Sequence, residues 1–130
     1  RYRALAARAR RGRFSAIATG HQLDDQAETI LLHLLRGTSL EGLGGIPVKR
    51  PLAPGIELLR PLLPLTREEI LTYLKMHDLA WREDASNGDP KFTRNWLRRA
   101  ILPRLEKRAP GVKARLAAIA AKVRAATGRS

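Results

Sequence analysis

The pattern of apolar and polar positions predicts alternating helices and a buried strand in the first part of the chain. Residues 1–11 contain strong helix formers with apolar side chains along one side. Residues 16–19 form a short apolar run that is typical of a buried strand, and Gly20 lets the chain turn sharply after it. A second helix is expected over about residues 24–35, because apolar residues recur at three- and four-residue spacings: Leu23, Ala27, Ile30, Leu31, Leu34 and Leu35.

Glycine and proline residues predict loops and turns in the next part of the chain. The glycine-rich residues 36–45 predict a flexible loop or lid, since they lack the spacing of a Walker phosphate loop. Residues 46–50 and 56–60 flank the turn-forming residues 51–55, which predicts a short β-hairpin. Only one strand of the parallel type is visible, so we expect the remaining strands of a parallel sheet to come from elsewhere.

The remaining residues predict helices. Thr66 and Glu69 have the spacing of a capping box, which predicts a helix over about residues 67–77. A polar loop is expected from Leu79 to Pro90. Thr93 is then expected to cap a helix that is interrupted ten residues later by a proline, and a last amphipathic helix is expected to follow Pro110.

The charge of the chain is strongly basic and unevenly distributed. The 25 Lys and Arg against 12 Asp and Glu give a net charge of +13. Residues 1–13 carry six Arg and no acid, and residues 61–130 carry fifteen basic and seven acidic groups, whereas the middle is nearly neutral. This surplus favours a polyanionic partner such as nucleic acid, and a solvated arginine-rich surface is the alternative.

The composition also excludes several classes of chemistry. The absence of cysteine excludes a disulfide framework, a thiolate zinc site and persulfide chemistry on this chain, and it is compatible with a reducing cytoplasm. No apolar run approaches the length of a membrane span and no signal peptide is visible, so we expect a cytoplasmic protein with no membrane partner.

The candidate chemistry lies where the second helix begins. Asp24, Asp25 and Glu28 fall in its first turns, and such an edge of an open α/β sheet is where ligands bind. In one interpretation Asp24 or Asp25 is only an N-cap and Glu28 is part of a capping arrangement. In the other, His21 and Asp25 face one side of a phosphate or magnesium site, because magnesium prefers oxygen ligands.

Four groups of residues stand out together by their order and spacing. They are Gly20-His21 with Asp24-Asp25-Gln26 and Glu28-Thr29; Arg36-Gly37-Thr38 with Gly42-Leu43; Arg60-Pro61-Leu62-Leu63; and Trp81, Glu83-Asp84 and Ser86-Asn87 with Arg94-Asn95 and Arg98. In this combination they resemble the tRNA(Ile)-lysidine synthetases of the N-type ATP pyrophosphatase superfamily. The resemblance covers residues 1–127, and the combination is more specific than any one group.

The resemblance implies a fold and a division of the chain. The fold is α/β, a partial Rossmann-like (adenine nucleotide alpha hydrolase-like) unit with one parallel strand, a short hairpin and a mainly helical C-terminal part. Residues 1–65 are expected to form the second half of the ATP pyrophosphatase-like domain. Residues 66–109 are expected to form a helical subdomain that completes the active-site wall, and residues 110–130 a basic connecting helix.

The resemblance also implies a reaction. Such enzymes use ATP and Mg²⁺ to adenylate the C2 oxygen of the wobble cytidine in the tRNA(Ile) with a CAU anticodon, and pyrophosphate is released. Free lysine then attacks the activated cytidine and expels AMP, which leaves lysidine in the tRNA.

The site residues carried over from the family are an expectation from this resemblance. Asp25 is expected to bind the metal. Residues expected at the catalytic centre are His21, Asp25 and Arg94. Residues expected to bind the nucleotide are His21, Asp24, Asp25 and Glu28. Residues expected to face the RNA are Arg36, Arg94, Asn95 and Arg98, with Asp84, Ser86 and Asn87 shaping that wall.

One departure from the family pattern is large. The nucleotide-binding loop of the form S-G-G-x-D-S does not occur in this sequence. We therefore expect the chain to be the second half of a catalytic domain, inactive alone, and to associate with the missing N-terminal part of the same enzyme or with a second copy as a homodimer. Two alternatives are a tRNA thiolation relative, against which the lack of cysteine argues, and a non-catalytic basic RNA-binding module.

Overall fold

The computed structural model describes residues 2–79 and 91–128 of the chain. Its strands are β1 (Ala16–Ala18), β2 (Lys49–Ala53) and β3 (Ile56–Leu59), and a 3-10 helix spans Glu41–Gly44. The longer helices are α1 (Tyr2–Arg11), α2 (Leu23–Arg36), α3 (Arg67–Met76) and α6 (Val112–Ala126). Between α3 and α6 lie α4 (Lys91–Trp96), a π-helical segment (Leu97–Ile101) and α5 (Leu102–Arg108). The predicted helices and hairpin are therefore confirmed within the described residues.

The three strands form one mixed sheet in the order β1-β3-β2. Ile17 of β1 lies opposite Leu58 in a parallel pair, and β2 runs antiparallel to β3. A parallel partner of β1 thus comes from the hairpin itself, which the sequence pattern did not reveal. The expected bounds of the first hairpin strand were wrong: β2 includes Pro51, and the turn lies at Pro54 and Gly55. Proline is tolerated there because β2 is at the edge of the described sheet.

Helix α2 is the central helix and packs along α6. Leu23, Ala27 and Ile30 are buried as the periodicity predicts, but Leu34 and Leu35 are 53% and 59% exposed. Buried polar side chains, Gln26, Glu28 and Thr29, occupy the adjacent face instead. The apolar stripe predicted for α2 is therefore correct only in its first two turns.

The helical stretch from Lys91 to Arg108 corrects two expectations. It is helical from Lys91, so Thr93 lies inside α4 and is not its cap, and it continues through Pro103 instead of stopping. Proline lacks an N–H and its ring conflicts with the carbonyl four residues earlier, which disturbs the α-helical ladder. The chain accommodates Pro103 by widening into a π-helical segment.

The π-helical segment has a clear effect on packing. The N–H of Leu102 donates to the carbonyl of Leu97, five residues earlier. In a regular α-helix residues five apart point in directions about 140° apart, whereas an i to i+5 hydrogen bond places them one above the other. Leu97 and Leu102 are each only 2% exposed. The wide turn therefore lets both leucines enter the same core.

The glycine-rich passage, expected to be a flexible loop or lid, contains a 3-10 helix and is hydrogen-bonded to its neighbours. The side chain of Gln26 bonds both the N–H and the carbonyl of Ile46, at 2.6 and 2.9 Å. His33 Nδ1 lies 2.7 Å from the carbonyl of Gly42, and the Arg124 guanidinium donates to the carbonyl of Gly44. Helices α2 and α6 thus fix this passage from two sides. In the described parts of the chain, no helix combines the length and apolar character needed to cross a membrane.

Candidate active site

The candidate site is built around the first turns of α2, which follow the carboxyl end of β1. The N-cap is Gln22, so the expectation that Asp24 or Asp25 occupies that position was wrong. Asp25 is the third residue of the helix, and its Oδ2 accepts a hydrogen bond from the backbone N–H of Gln22 at 2.8 Å. This contact satisfies a donor that the helix leaves unpaired. Asp25 consequently has a structural role at the helix start, whatever else it does.

Glu28 lies one turn further and is fully buried, with 0% exposure. The Nε and Nη2 groups of Arg98 donate to its two carboxylate oxygens at 2.8 and 3.0 Å. Burial raises the pKa of Glu28 above its usual value, and the hydrogen bonds and charge of Arg98 counter this effect only in part. The same hydrogen bonds raise the pKa of Arg98. A two-pronged contact of this kind fixes the orientation of both side chains.

Two further charged groups extend this pair. Arg94 donates to the hydroxyl of Thr29 at 3.0 Å, and its other amino group lies 3.7 Å from Glu28. Arg98 also lies 3.7 Å from Asp25 Oδ1. The helix from Lys91 thus places two arginines, four residues apart, over three polar side chains in the first two turns of α2: Asp25, Glu28 and Thr29. Asp25, Glu28, Arg94 and Arg98 form one cluster, which we call the acid–arginine cluster.

Asp24 points to different partners. Its Oδ2 accepts from Lys113 Nζ of α6 at 2.7 Å, and its Oδ1 accepts from the backbone N–H of Arg67, the first residue of α3, at 3.0 Å. Burial alone would raise the pKa of Asp24, but these hydrogen bonds and the charge of Lys113 outweigh it, so the pKa lies below its usual value. Asp24 therefore joins the starts of three helices.

The other predicted residues are placed as follows. His21 Nδ1 lies 2.9 Å from the hydroxyl of Thr19, just after β1 and beside the start of α2. Asn95 is half-buried on α4. Arg36 is the exposed last residue of α2, about 16 Å along the helix axis from Asp25. The structure thus does not bring Arg36 to the acid–arginine cluster. The predicted wall residues Asp84, Ser86 and Asn87 lie outside the described residues.

Sequence reasoning missed the residues that complete these contacts from a distance. Lys113 meets Asp24 from 89 positions away, and no spacing rule connects them. Thr29 was visible only as part of a motif, although it anchors Arg94. The sequence showed only that Lys113 lies at the start of a predicted amphipathic helix, which does not identify its partner.

The residues fit a partial magnesium site. Among the described residues, no three histidine or carboxylate side chains lie close enough together to hold a metal on their own. Magnesium is commonly held by one or two carboxylates, with phosphate oxygens and water completing its shell. Asp24 has both oxygens bonded, one of them to a lysine. Asp25 uses one oxygen on Gln22 and is therefore the better candidate ligand.

Comparisons with known proteins show which sequences the chain is similar to. Curated tRNA(Ile)-lysidine synthases are similar to the chain: that of Pseudomonas aeruginosa is 48% identical over 97% of the chain, and that of Alkalilimnicola ehrlichii 48% identical over 89%. That of Chromobacterium violaceum is 49% identical over 83%. The chain spans about a quarter of the length of these relatives, from 25% to 28%.

A solved structure and a family match establish the fold. The U34-tRNA thiolase NcsA from Methanococcus maripaludis, solved with its 4Fe–4S cluster, matches 94% of the chain with a TM-score of 0.72 and 22% identity, and the match covers 40% of that protein. This likeness confirms the predicted adenine nucleotide alpha hydrolase-like α/β fold. Residues 1–105 match the PP-loop domain family. The chain belongs to the PP-loop domain family.

Proposed function

We propose that the protein containing this chain is a tRNA-modifying ligase that forms lysidine in the tRNA(Ile) with a CAU anticodon. The observation that carries the proposal is the 48% identity, along 97% of the chain, to a tRNA(Ile)-lysidine synthase. The acid–arginine cluster supports it, because this cluster lies at the carboxyl end of a parallel strand, where α/β sheets bind ligands.

The reaction divides into two steps. The C2 oxygen of the wobble cytidine attacks the α-phosphorus of ATP, and the bond to pyrophosphate breaks. The amine of free lysine then attacks C2, and AMP leaves with the oxygen. Bound Mg²⁺ would offset the negative charge of the triphosphate.

Each residue of the cluster has a proposed task. Asp25 holds the metal, and His21 binds the nucleotide beside it. Glu28 aligns Arg98 through its two-pronged contact, and Arg94, whose side chain keeps 29% exposure, faces the activated cytidine. Asp24 supports the site indirectly, because its contacts to α3 and α6 position the start of α2.

We further propose that the 130-residue chain is inactive by itself. Its sequence lacks S-G-G-x-D-S, so the residues that would hold the phosphates must come from other parts of the protein. Ala16 and Ala18 of β1 are exposed, which leaves room for a covering segment of the same enzyme or of a second copy.

The test uses the complete protein encoded by the reading frame that contains this chain. It is incubated with ATP, Mg²⁺, lysine and transcripts of the CAU tRNA(Ile), and the nucleosides are analysed by mass spectrometry. We expect lysidine at the wobble position only when ATP and lysine are both present.

A control tRNA and the identity of the product separate the alternatives. The elongator methionine tRNA, which also has a CAU anticodon, should remain unmodified. Incorporation of sulfur into a tRNA, or ATP-independent RNA binding with no modified nucleoside, would contradict the proposal and favour the thiolation or the RNA-binding interpretation. Lysidine formation by the isolated 130-residue chain would contradict the proposed inactivity.

A further inference from the structure

The helical stretch from Lys91 to Arg108 carries basic residues on two different sides. Arg94 and Arg98 point toward α2, where they bond Thr29 and Glu28. The basic residues further along the stretch are exposed: Arg99, Arg104, Lys107 and Arg108. One side of this stretch therefore contacts α2 at the candidate site, and another side exposes positive charge to solvent. We call these four exposed residues the outer basic row.

The charge of the outer basic row is not neutralised by acids in the C-terminal part of the chain. Between residues 99 and 128 the one acidic residue is Glu106. Its Oε1 accepts the backbone N–H of Gly111, so the carboxylate is engaged at the turn before α6. Lys113 and Arg124 are committed to Asp24 and Gly44. The other two basic residues of α6, Arg115 and Lys122, are exposed.

The spacing of the row suits a regular array of negative charges. Arg104, Lys107 and Arg108 are three and four residues apart, so they project from one side of α5. Arg108 lies about 15 Å along the axis from Arg98, at 1.5 Å per residue. A strand of RNA lying along this row would therefore reach the acid–arginine cluster at its Arg98 end.

We propose that the outer basic row binds the phosphate backbone of the substrate RNA and guides it toward the acid–arginine cluster. This inference rests on the proposed function, which makes the substrate a tRNA. It assigns binding of the phosphate backbone to residues beyond Arg94 and Arg98, whose guanidinium groups bond side chains of α2. The row contributes charge without reading bases, so its contribution depends on salt concentration.

The test compares two matched triple variants of the complete protein. One is Arg104→Ala with Lys107→Ala and Arg108→Ala. The control is Arg8→Ala with Arg10→Ala and Arg11→Ala on α1, which removes the same charge from exposed positions of a helix that packs on the sheet. A charge-preserving variant, Arg104→Lys with Lys107→Arg and Arg108→Lys, checks that loss of charge causes the effect.

Binding of the CAU tRNA(Ile) is measured by fluorescence anisotropy without ATP or lysine, so the readout does not depend on catalysis. We expect the α5 triple to weaken binding by roughly tenfold or more near 0.1 M salt, and to lower the slope of log K against log salt by about two. The α1 triple and the charge-preserving variant should stay within about twofold of the parent protein. Circular dichroism establishes that each variant is folded, and if the α5 triple is not, the three single variants are measured instead.

Two results would overturn the inference. One is binding by the α5 variants within about twofold of the parent protein. The other is an equal loss in the two triples, which would mean a diffuse effect of net charge. The binding assay does not depend on the reaction. If the complete protein bound the tRNA through the outer basic row but formed no lysidine, the proposed function would be wrong and the proposed RNA-binding surface would still be supported.

Discussion

Arg98 and Glu28 are 70 positions apart in the sequence, yet the guanidinium group of Arg98 donates to both carboxylate oxygens of Glu28. The carboxylate is fully buried, whereas the Arg98 side chain keeps 38% exposure. Removing one partner of such a pair leaves an uncompensated charge in the interior. The pair therefore locks the helical stretch that contains the π-helical segment onto α2.

A first prediction concerns the stability of this contact. Arg98→Met should lower the free energy of unfolding by about 1–3 kcal/mol at neutral pH, less than for a fully buried pair because solvent reaches Arg98. Without its partner, Glu28 can avoid the penalty by taking up a proton. Since its folded pKa would then lie still further above the unfolded value, the loss should grow as pH rises above about 4.5. Urea denaturation at pH 5 and pH 8 measures this difference.

The control is the double variant Glu28→Gln with Arg98→Met. It should be more stable at pH 8 than Arg98→Met alone, since no buried carboxylate remains to be ionised. A loss of stability in Arg98→Met that is the same at both pH values would contradict the explanation.

A second prediction concerns Lys113 and Asp24. Because Lys113 helps lower the folded pKa of Asp24, the pair stabilises the fold above the unfolded pKa near 3.8, and this stabilisation is lost as pH falls through the folded pKa. Lys113→Met should therefore lower the melting temperature at pH 7, and this effect should shrink as the pH falls below about 3.8. Thermal unfolding followed by circular dichroism measures the shift. The same substitution at the exposed Lys122 of α6 is the matched control. An equal shift in both variants would show that the effect does not depend on the contact between Lys113 and Asp24.

A third prediction separates capping from catalysis. Asp25 and Glu69 occupy equivalent third positions of α2 and α3, and each accepts the N–H of its own N-cap residue. Asp25→Asn and Glu69→Gln should therefore cost similar stability, of the order of 1 kcal/mol. Only Asp25→Asn should also lower ATP-dependent adenylation of the tRNA, by roughly a hundredfold or more if Asp25 holds the metal. Release of pyrophosphate from ATP by the complete protein in the presence of the tRNA is the measurement.

The outcome decides between the two interpretations of the acidic run. If both variants keep full activity, Asp25 only caps the helix and the metal assignment is wrong. Binding of tRNA by Asp25→Asn should be unchanged, which distinguishes a loss of chemistry from a loss of substrate.

A fourth prediction tests how the glycine-rich passage is held. Gly45 and Gly55 both have positive φ, +62° and +76°. A side chain at Gly45 would overlap the amide oxygen of Gln26, which bonds Ile46, whereas Gly55 has open space around it. Gly55→Ala should cost about 1 kcal/mol from backbone strain alone. Gly45→Ala should cost about 1–2 kcal/mol more, because it also disturbs a part-buried hydrogen bond. Equal losses in chemical denaturation would show that the Gln26 contact is dispensable.

Local signals in the sequence explain what could be predicted. The spacing of Thr66 and Glu69 correctly places the start of α3, because a capping box involves only four consecutive residues. The periodicity of α2 likewise predicts its length. Contacts set by tertiary packing were not predictable in this way: the Lys113 contact to Asp24, the exposure of Leu34, and the parallel pairing of β1 with β3 all depend on residues far away in the chain.

The π-helical segment also has a consequence for comparing homologous sequences. A π-helical turn holds one more residue than the α-helical turn it replaces. A homologue with one residue fewer between Arg98 and Pro103 would keep the counterparts of Leu97 and Leu102 on the same side, four residues apart in an ordinary helix. A single gap at this point in an alignment would then mark a change of helix type that conserves the packing, and Arg98 would keep its orientation toward Glu28.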